Sequence, residues 1–343
     1  MVARNTSSRP EEPTAVVPEP NPYMLSKWEP ETVLLELAAR AESLKPYGLA
    51  DVRVVDAGEH NIQFTIDDVA VRAASFGGIC TALDVPTAFL KRVPFALAQE
   101  IVESMQADTK VLDREVVFNV NNGAVVGYRP AGKEMPSAPE VFERIFDTLP
   151  DVDGVHFFQN DVHVDASIVC KSLDIEPKAG DLVRGGISCF YSEVGIKPFS
   201  MRAYSERLIC TNGMTHREFE REFGLPEGLA PFLQEIGIAT QACYDFAGKS
   251  LEGKMRRAAE FEVNGPQAIR RIFDQSRLPP RFMSGVLAAH MVEDDGTMFG
   301  VLQSFTRAAN NLGHANRQRL QLLAGDELRV VERAHCPNCY ASA

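Results

Sequence analysis

Apolar side chains at Val33, Leu34, Leu37, Ala38, Ala41 and Leu44 recur at helical spacing after Glu29-Pro30-Glu31 and stop at Pro46, which predicts a first helix packed by one face. Alternation over 52–55 and 61–66, across Ala57 to His60, predicts a hairpin, and Val69 to Val71 a further extended piece. Phe76, Ile79, Cys80 and Leu83, a break at Val85-Pro86, and Ala88 to Leu90 describe two short helices, with Phe95 to Met105 a third. Residues 116–120, Asn121-Asn122-Gly123 and 124–128 read as strand, tight turn and strand, because residues tolerant of positive φ suit such a reversal. Residues 139–149 have helical spacing, and Gly154 to Lys171 returns to alternation.

After Gly228 the period changes. Residues 229–246, 251–263, 266–275, 280–291 and 297–312 each carry helical periodicity, with a stop and restart at Asn264-Gly265-Pro266. Hairpins mixed with short helices, without alternating βαβ units, predict an α+β fold: a mixed, largely antiparallel sheet with packed short helices, followed by a helical C-terminal portion. The expected organisation is a disordered, acidic, Pro-rich arm over 1–28, an α+β core over 29–228, a helical portion packed on it over 229–324, and a tail over 325–343.

Composition narrows the class. The chain has 343 residues, 45% hydrophobic and 24% charged, which excludes a collagen-like or wholly disordered chain and allows a substantial core. No apolar stretch approaches the roughly 18 residues of a membrane span, and the N-terminal residues carry no secretory pattern, so a cytoplasmic protein without membrane contact is expected. Seven cysteines, an odd set mostly among apolar neighbours, fit reduced and buried thiols.

The stretch Gly180-Asp181-Leu182-Val183-Arg184-Gly185-Gly186-Ile187-Ser188, followed by Ser192-Glu193-Val194-Gly195 and by Arg207-Leu208-Ile209-Cys210-Thr211-Asn212-Gly213-Met214, resembles the signature of the phage/plasmid-like proteins grouped as domain of unknown function family 932. Residues 76–90 and 297–306 resemble that family's early helix-Pro-helix segment and its late helix, with Gln303-Ser304 a departure from the latter's pattern. The resemblance spans roughly residues 70–325. It implies a prokaryotic cytoplasmic protein of mobile elements, with a setting in DNA metabolism that suggests strand annealing; that step is analogy.

Within this block, Gly180-Asp181 and Asn212-Gly213 read as tight turns, Gly185-Gly186 as a bulge or close backbone approach, and 187–191 as a strand ended by Ser192-Glu193. The functional alternative is a polar pocket of Glu193, Arg207, Thr211 and Asn212, in which Arg207 meets either Glu193 or a phosphate. Tyr191, Phe199 and Tyr204 are either core or stacking platforms for bases.

The net charge of −12 argues against a surface that is basic throughout, yet the charge is segregated. Residues 249–281, 305–323 and 184–221 carry net charges of +4, +3 and +2, so the rest of the chain carries −21. Arg184, Lys197, Arg202, Arg207, Arg256, Arg257, Arg270 and Arg271 are the candidate phosphate contacts, against the plainer reading of solvated helix faces.

His335, Cys336 and Cys339 form half of a zinc knuckle, short of the four ligands a tetrahedral site needs. His156 and His163, beside Asp161 and Asp165, would lie on opposite faces of one continuous strand, so a hairpin with polar edges is expected there. Cys210 and His216 are better read as strand residues than as a thiol and its base. Phosphate-loop, dinucleotide, nucleophile-elbow and His-Glu-x-x-His motifs are missing, so no cofactor is expected and the reading leans away from catalysis. The leading expectation is a protein that binds single-stranded nucleic acid, DNA above all, in recombination or replication, as an oligomer that aligns strands. The alternatives are an interaction module using the acidic arm and a metal-dependent nuclease-like enzyme.

Overall fold

The computed structural model describes residues 27–58, 61–133, 135–194, 197–207, 212–223, 228–276 and 278–333. The acidic arm up to residue 26, the Glu59-His60 turn, Thr211 and the His335, Cys336, Cys339 group lie outside the described residues.

The fold is α+β with antiparallel sheets and C-terminal helices. The first helix, α1 (Pro30–Ser43), leads into β1 (Leu44–Gly48), β2 (Val52–Gly58), β3 (Asn61–Ile66) and β4 (Val69–Ala70). Then come α2 (Phe76–Ala82), α3 (Thr87–Leu90), α4 (Phe95–Gln106), α5 (Thr109–Leu112), β5 (Arg114–Asn119) and β6 (Ala124–Pro130). The strands form two three-stranded sheets, β1-β5-β6 and β2-β3-β4. Leu49, Phe64, Ile66, Ile79, Leu83, Leu90, Val116 and Phe118 make an apolar core between these sheets and the short helices. The β5–β6 reversal is the Asn-Gly turn expected from sequence, with Gly123 at φ +71 and the Asn119 and Asn122 side chains accepting turn N–H groups.

The second apolar cluster begins with α6 (Ala138–Thr148), opened by a Ser137/Glu140 capping box. A five-stranded antiparallel sheet follows, from β7 (Val152–Gln159), β8 (Val164–Lys178), β9 (Asp181–Tyr191), β10 (Phe199–Arg207) and β11 (Asn212–Phe223), in the order β11-β10-β9-β8-β7. The backbone of Trp28 pairs with that of Val155 on the outer edge of β7, covering part of a free strand edge. Period-two alternation sorts the side chains. Val164, Ala166, Ile168 and Cys170, with Val183, Ile187, Cys189, Tyr191, Phe199, Met201 and Ala203, belong to one apolar face beneath α1, α6 and α7 (Leu229–Glu260). The intervening residues form the other, polar face.

The segments 229–246 and 251–263 are one 32-residue helix, α7, not two. The buried series Phe232, Ile236, Thr240, Cys243, Ala247, Leu251, Met255 and Ala258 stays in phase through Gly248 and Ser250, so the sheet beneath holds the helix continuous. Next are α8 (Gly265–Gln275), capped by Asn264 as the stop-and-restart signal implies, α9 (Met283–Glu293) and the deeply buried α10 (Met298–Ala309). The final helix, α11 (His314–Arg333), continues past the expected start of a tail at 325, because Leu320, Ala324, Leu328 and Val331 keep one buried face. It crosses the polar face of the sheet: Gly325 lies against the Thr215 backbone of β11, while its first turns reach β8.

One reading of the central block changes and another holds. Asn212 and Gly213 are the start of β11, opposite Arg207 and Glu206, instead of a turn. Gly185-Gly186 is the close backbone approach expected of it: the β8–β9 register shifts between Val169 and Asp174, opposite this pair, and a Cβ on Gly186 would overlap the Ile168 carbonyl oxygen of β8. That obstacle is backbone of the neighbouring strand, so Gly186→Ala is expected to destabilise by about 3 kcal/mol. Gly253→Ala in α7, where a Cβ meets nothing within 4 Å, is expected to stabilise by about 0.5–1 kcal/mol. Urea unfolding of both variants measures the opposite signs.

Candidate functional site

The polar face is built in rows across the strands. Register places Phe158, Asp165, Phe190, Ser200 and Glu222 side by side, and next to them His156, Ser167, Ser188, Arg202 and Glu220. Helix α11 roofs these rows. His314, Arg317, Gln318, Gln321 and Leu322 face His156, Ser167, Ser188, Arg202 and Thr215 across an open cleft of about 650 Å³ of atom-free space, part of it open solvent. Its floor and roof are therefore mostly hydrogen-bonding side chains.

Adjacent strands lie about 4.8 Å apart, so in a flat sheet β7 and β10 would be about 14 Å apart. His156 Nε2 on β7 nevertheless lies 2.6 Å from Glu206 Oε2 on β10, so the sheet curls toward its polar face. The Glu206 side chain is fully buried, with Lys27 Nζ 3.8 Å from its other oxygen. Neither that oxygen, Oε1, nor His156 Nδ1 has a hydrogen-bond partner.

At the other end of the cleft Asp165 is buried and accepts three hydrogen bonds. His314 Nε2 lies 2.7 Å and His163 Nε2 3.0 Å from Oδ2, and Gln318 donates to Oδ1 at 2.9 Å. Burial alone would raise the Asp165 pKa; hydrogen bonds and positive charge from the two histidines outweigh it and hold the carboxyl below its usual range. The His314 ring stacks on Phe158 at 4.1 Å and the His163 ring on Phe190 at 5.0 Å, which keeps both ring edges turned to the carboxylate. Among the described residues, His163, Asp165 and His314 form the one group whose ligand atoms lie close enough together, within 4.8 Å, to hold a metal ion.

The hairpin with polar edges is present: β7 ends at Gln159, β8 begins at Val164, and His156 and His163 make separate contacts. Asp161 belongs to neither site and binds Arg72 and Asn122 of the first cluster. The pocket expected from Glu193 and Arg207 does not assemble. Arg207 pairs with Asp181 and Glu293 opposite Val183, whereas Glu193 binds Arg40 beyond Tyr191, eight residues or about 26 Å further along β9. Tyr191 and Phe199 belong to the apolar core, and Tyr204 lines the cleft but is 1% exposed, so none offers an open face for stacking.

Most of the candidate phosphate contacts are committed within the protein. Arg184 binds Asp174 and Asp153, Arg202 binds Glu220, Arg256 binds Glu252 and Arg271 binds Glu327. Lys197 lies 5.5 Å over the Phe190 ring and Arg257 5.9 Å over Phe261, while Arg270 is exposed on α8. Only Arg202 of this set lines the cleft. Ser167, His314 and Gln318 were not singled out by sequence, and Ser188, Glu206 and Arg317 entered only as members of the central block and of the segments 184–221 and 305–323; for the two serines, alternation along β8 and β9 was the available signal.

His216 is buried, its Nε2 2.9 Å from Ser205 Oγ, and burial, with Lys254 adding to it, lowers its pKa to about 3. It is neutral in the fold and far from a working base. Between pH about 6.5 and 3 the unfolded chain protonates this histidine and the folded chain does not, so stability falls with pH by up to about 1.4 kcal/mol per unit. His216→Gln should flatten that limb in urea titrations from pH 7 to 4; an unchanged slope refutes the assignment.

Comparison with known proteins finds no matching protein family, no matching curated protein and no matching solved structure.

Proposed function

We propose that the protein binds single-stranded nucleic acid by seating a backbone phosphate in the cleft between the curled sheet and α11. The observation that carries this reading is the row His156, Ser167, Ser188 and Arg202, which crosses four strands beneath Arg317, Gln318 and Gln321. Ser167 and Ser188 supply hydroxyl donors and Gln321 an amide, and phosphate oxygens accept from such groups, while Arg202 and His156, paired with Glu220 and Glu206, border them. Asp165, the carboxylate in the cleft wall, already accepts from two histidines and a glutamine. The mobile-element resemblance of residues 70–325 supports DNA recombination or replication, strand annealing included, as the setting.

The internal pairing of the arginines changes the expected electrostatics. A stripe of eight phosphate contacts would give a salt slope near −5.6 on a logarithmic scale, whereas one or two contacts in a cleft give about −0.7 to −1.4. Fluorescence anisotropy with a labelled oligonucleotide is expected to show binding near 50 mM salt with the shallow slope. Ser188→Asp, which sets a carboxylate on the cleft floor, should weaken binding about tenfold or more, and Arg270→Ala should not. Failure to bind, or binding indifferent to Ser188→Asp, refutes the proposal.

A further inference from the structure

Most charged groups of the sheet have ordinary explanations as ion pairs; the cluster at Asp165 has a geometry that goes further. We infer that His163, Asp165 and His314 form a three-ligand site for a zinc-class divalent ion, at the mouth of the same cleft. This inference does not rest on nucleic-acid binding.

Two imidazole Nε2 atoms converge on one carboxylate oxygen, at 2.7 and 3.0 Å. Ligands held tetrahedrally at about 2.1 Å from a metal are about 3.4 Å from one another, so metal entry requires each imidazole Nε2 to give up its proton to solvent and to part from Asp165 Oδ2 by less than about 1 Å. All three ligand atoms already lie within 4.8 Å of one another. Two histidines and one carboxylate are a borderline-soft nitrogen and oxygen set, suited to zinc and its neighbours and not to calcium or magnesium, which take oxygen ligands.

The surroundings are those a metal site uses. Gln318 donates to the remaining oxygen of Asp165, which orients the carboxylate from outside the ligand set. Phe158 and Phe190 stack on the two rings and fix their planes. Asp165 and His314 line the cleft, so a tetrahedral ion held by three protein ligands would have its fourth position filled by water or by an oxygen of a ligand in the cleft.

The ligands come from distant points of the chain. His163 ends the β7–β8 turn, Asp165 stands two residues into β8, and His314 opens α11, 149 residues from Asp165. The turn is held in place by Arg40 of α1, whose guanidinium donates to the Asn160 and Asp161 carbonyls while pairing with Glu193. The site is therefore anchored to the fold independently of a metal.

The test uses the full chain with Cys336→Ser and Cys339→Ser, which removes the thiolates of the C-terminal segment as competing ligands. Chelator-treated protein is titrated with Co²⁺ and then Zn²⁺. The expected result is one equivalent bound, visible d–d bands of a tetrahedral nitrogen and oxygen site, no thiolate charge-transfer band, and displacement of Co²⁺ by Zn²⁺. His314→Ala should abolish the bands. Gln318→Leu, which leaves the three ligands in place, should weaken binding 10- to 100-fold with an unchanged spectrum. Circular dichroism identifies any variant that fails to fold; His163→Ala then serves as the second ligand variant. Absence of stoichiometric Co²⁺ binding by the thiolate-free chain, or binding that survives both histidine substitutions in folded protein, overturns the inference. Oligonucleotide binding without metal binding would remove this site and leave the phosphate cleft standing.

Discussion

The polar half of the structure depends on the burial of one carboxylate. Asp165 is buried near the start of β8, one strand in from the β7 edge, and an ionised group there is tolerated only if hydrogen bonds and opposite charge replace the water it loses. The replacement comes from His163 in the adjoining turn and from His314 and Gln318 in α11. Satisfying Asp165 therefore attaches the last helix to the sheet. It also fixes the distance between roof and floor that makes a cleft of the space between them.

The same sheet shows how one strand pattern serves two purposes. Along β8, the even-numbered residues Val164, Ala166, Ile168 and Cys170 enter the core under α7, while Asp165 and Ser167 face α11. Along β9, Ile187 and Cys189 enter the core and Ser188 faces the cleft. Curling of the sheet brings His156 to Glu206 across two intervening strands, and Gly186 at the centre of that curl admits a close backbone approach that a Cβ would block. Stability and site are thus carried by opposite faces of the same strands, and single substitutions on the cleft face can be made with little effect on the apolar core.

Charge counted along the chain and charge presented in space are different quantities. The basic residues of 184–221 look like a surface for phosphate when summed, but Arg184, Arg202 and Arg207 each face carboxylates from neighbouring strands or from α9. Arg207 is held by Asp181 on the adjacent strand and by Glu293 from a helix 86 residues away. Pairing of this kind organises the edges of the sheet, and it moves the expected ligand contacts from a stripe of arginines to a cleft lined by hydroxyl and amide groups with Arg202 and Arg317.

What the amino-acid sequence by itself determined was local. The Asn-Gly turn, the capped helix starts at Ser137 and Asn264, the hairpin at 160–163 and the mixed α+β character follow from backbone preferences and from periods of two and 3.6, which act over a few residues. The unbroken α7 and the long α11 were also written in their buried periodicity, although Gly248 and the polar start of α11 obscured it. Only the tertiary structure decided which partner each charged side chain takes. Asp165 meets His314 across 149 residues, and His156 meets Glu206 across 50, because the curl of the sheet and the path of α11 bring these groups together. No spacing along the chain encodes such a meeting, since it depends on how several elements pack at once.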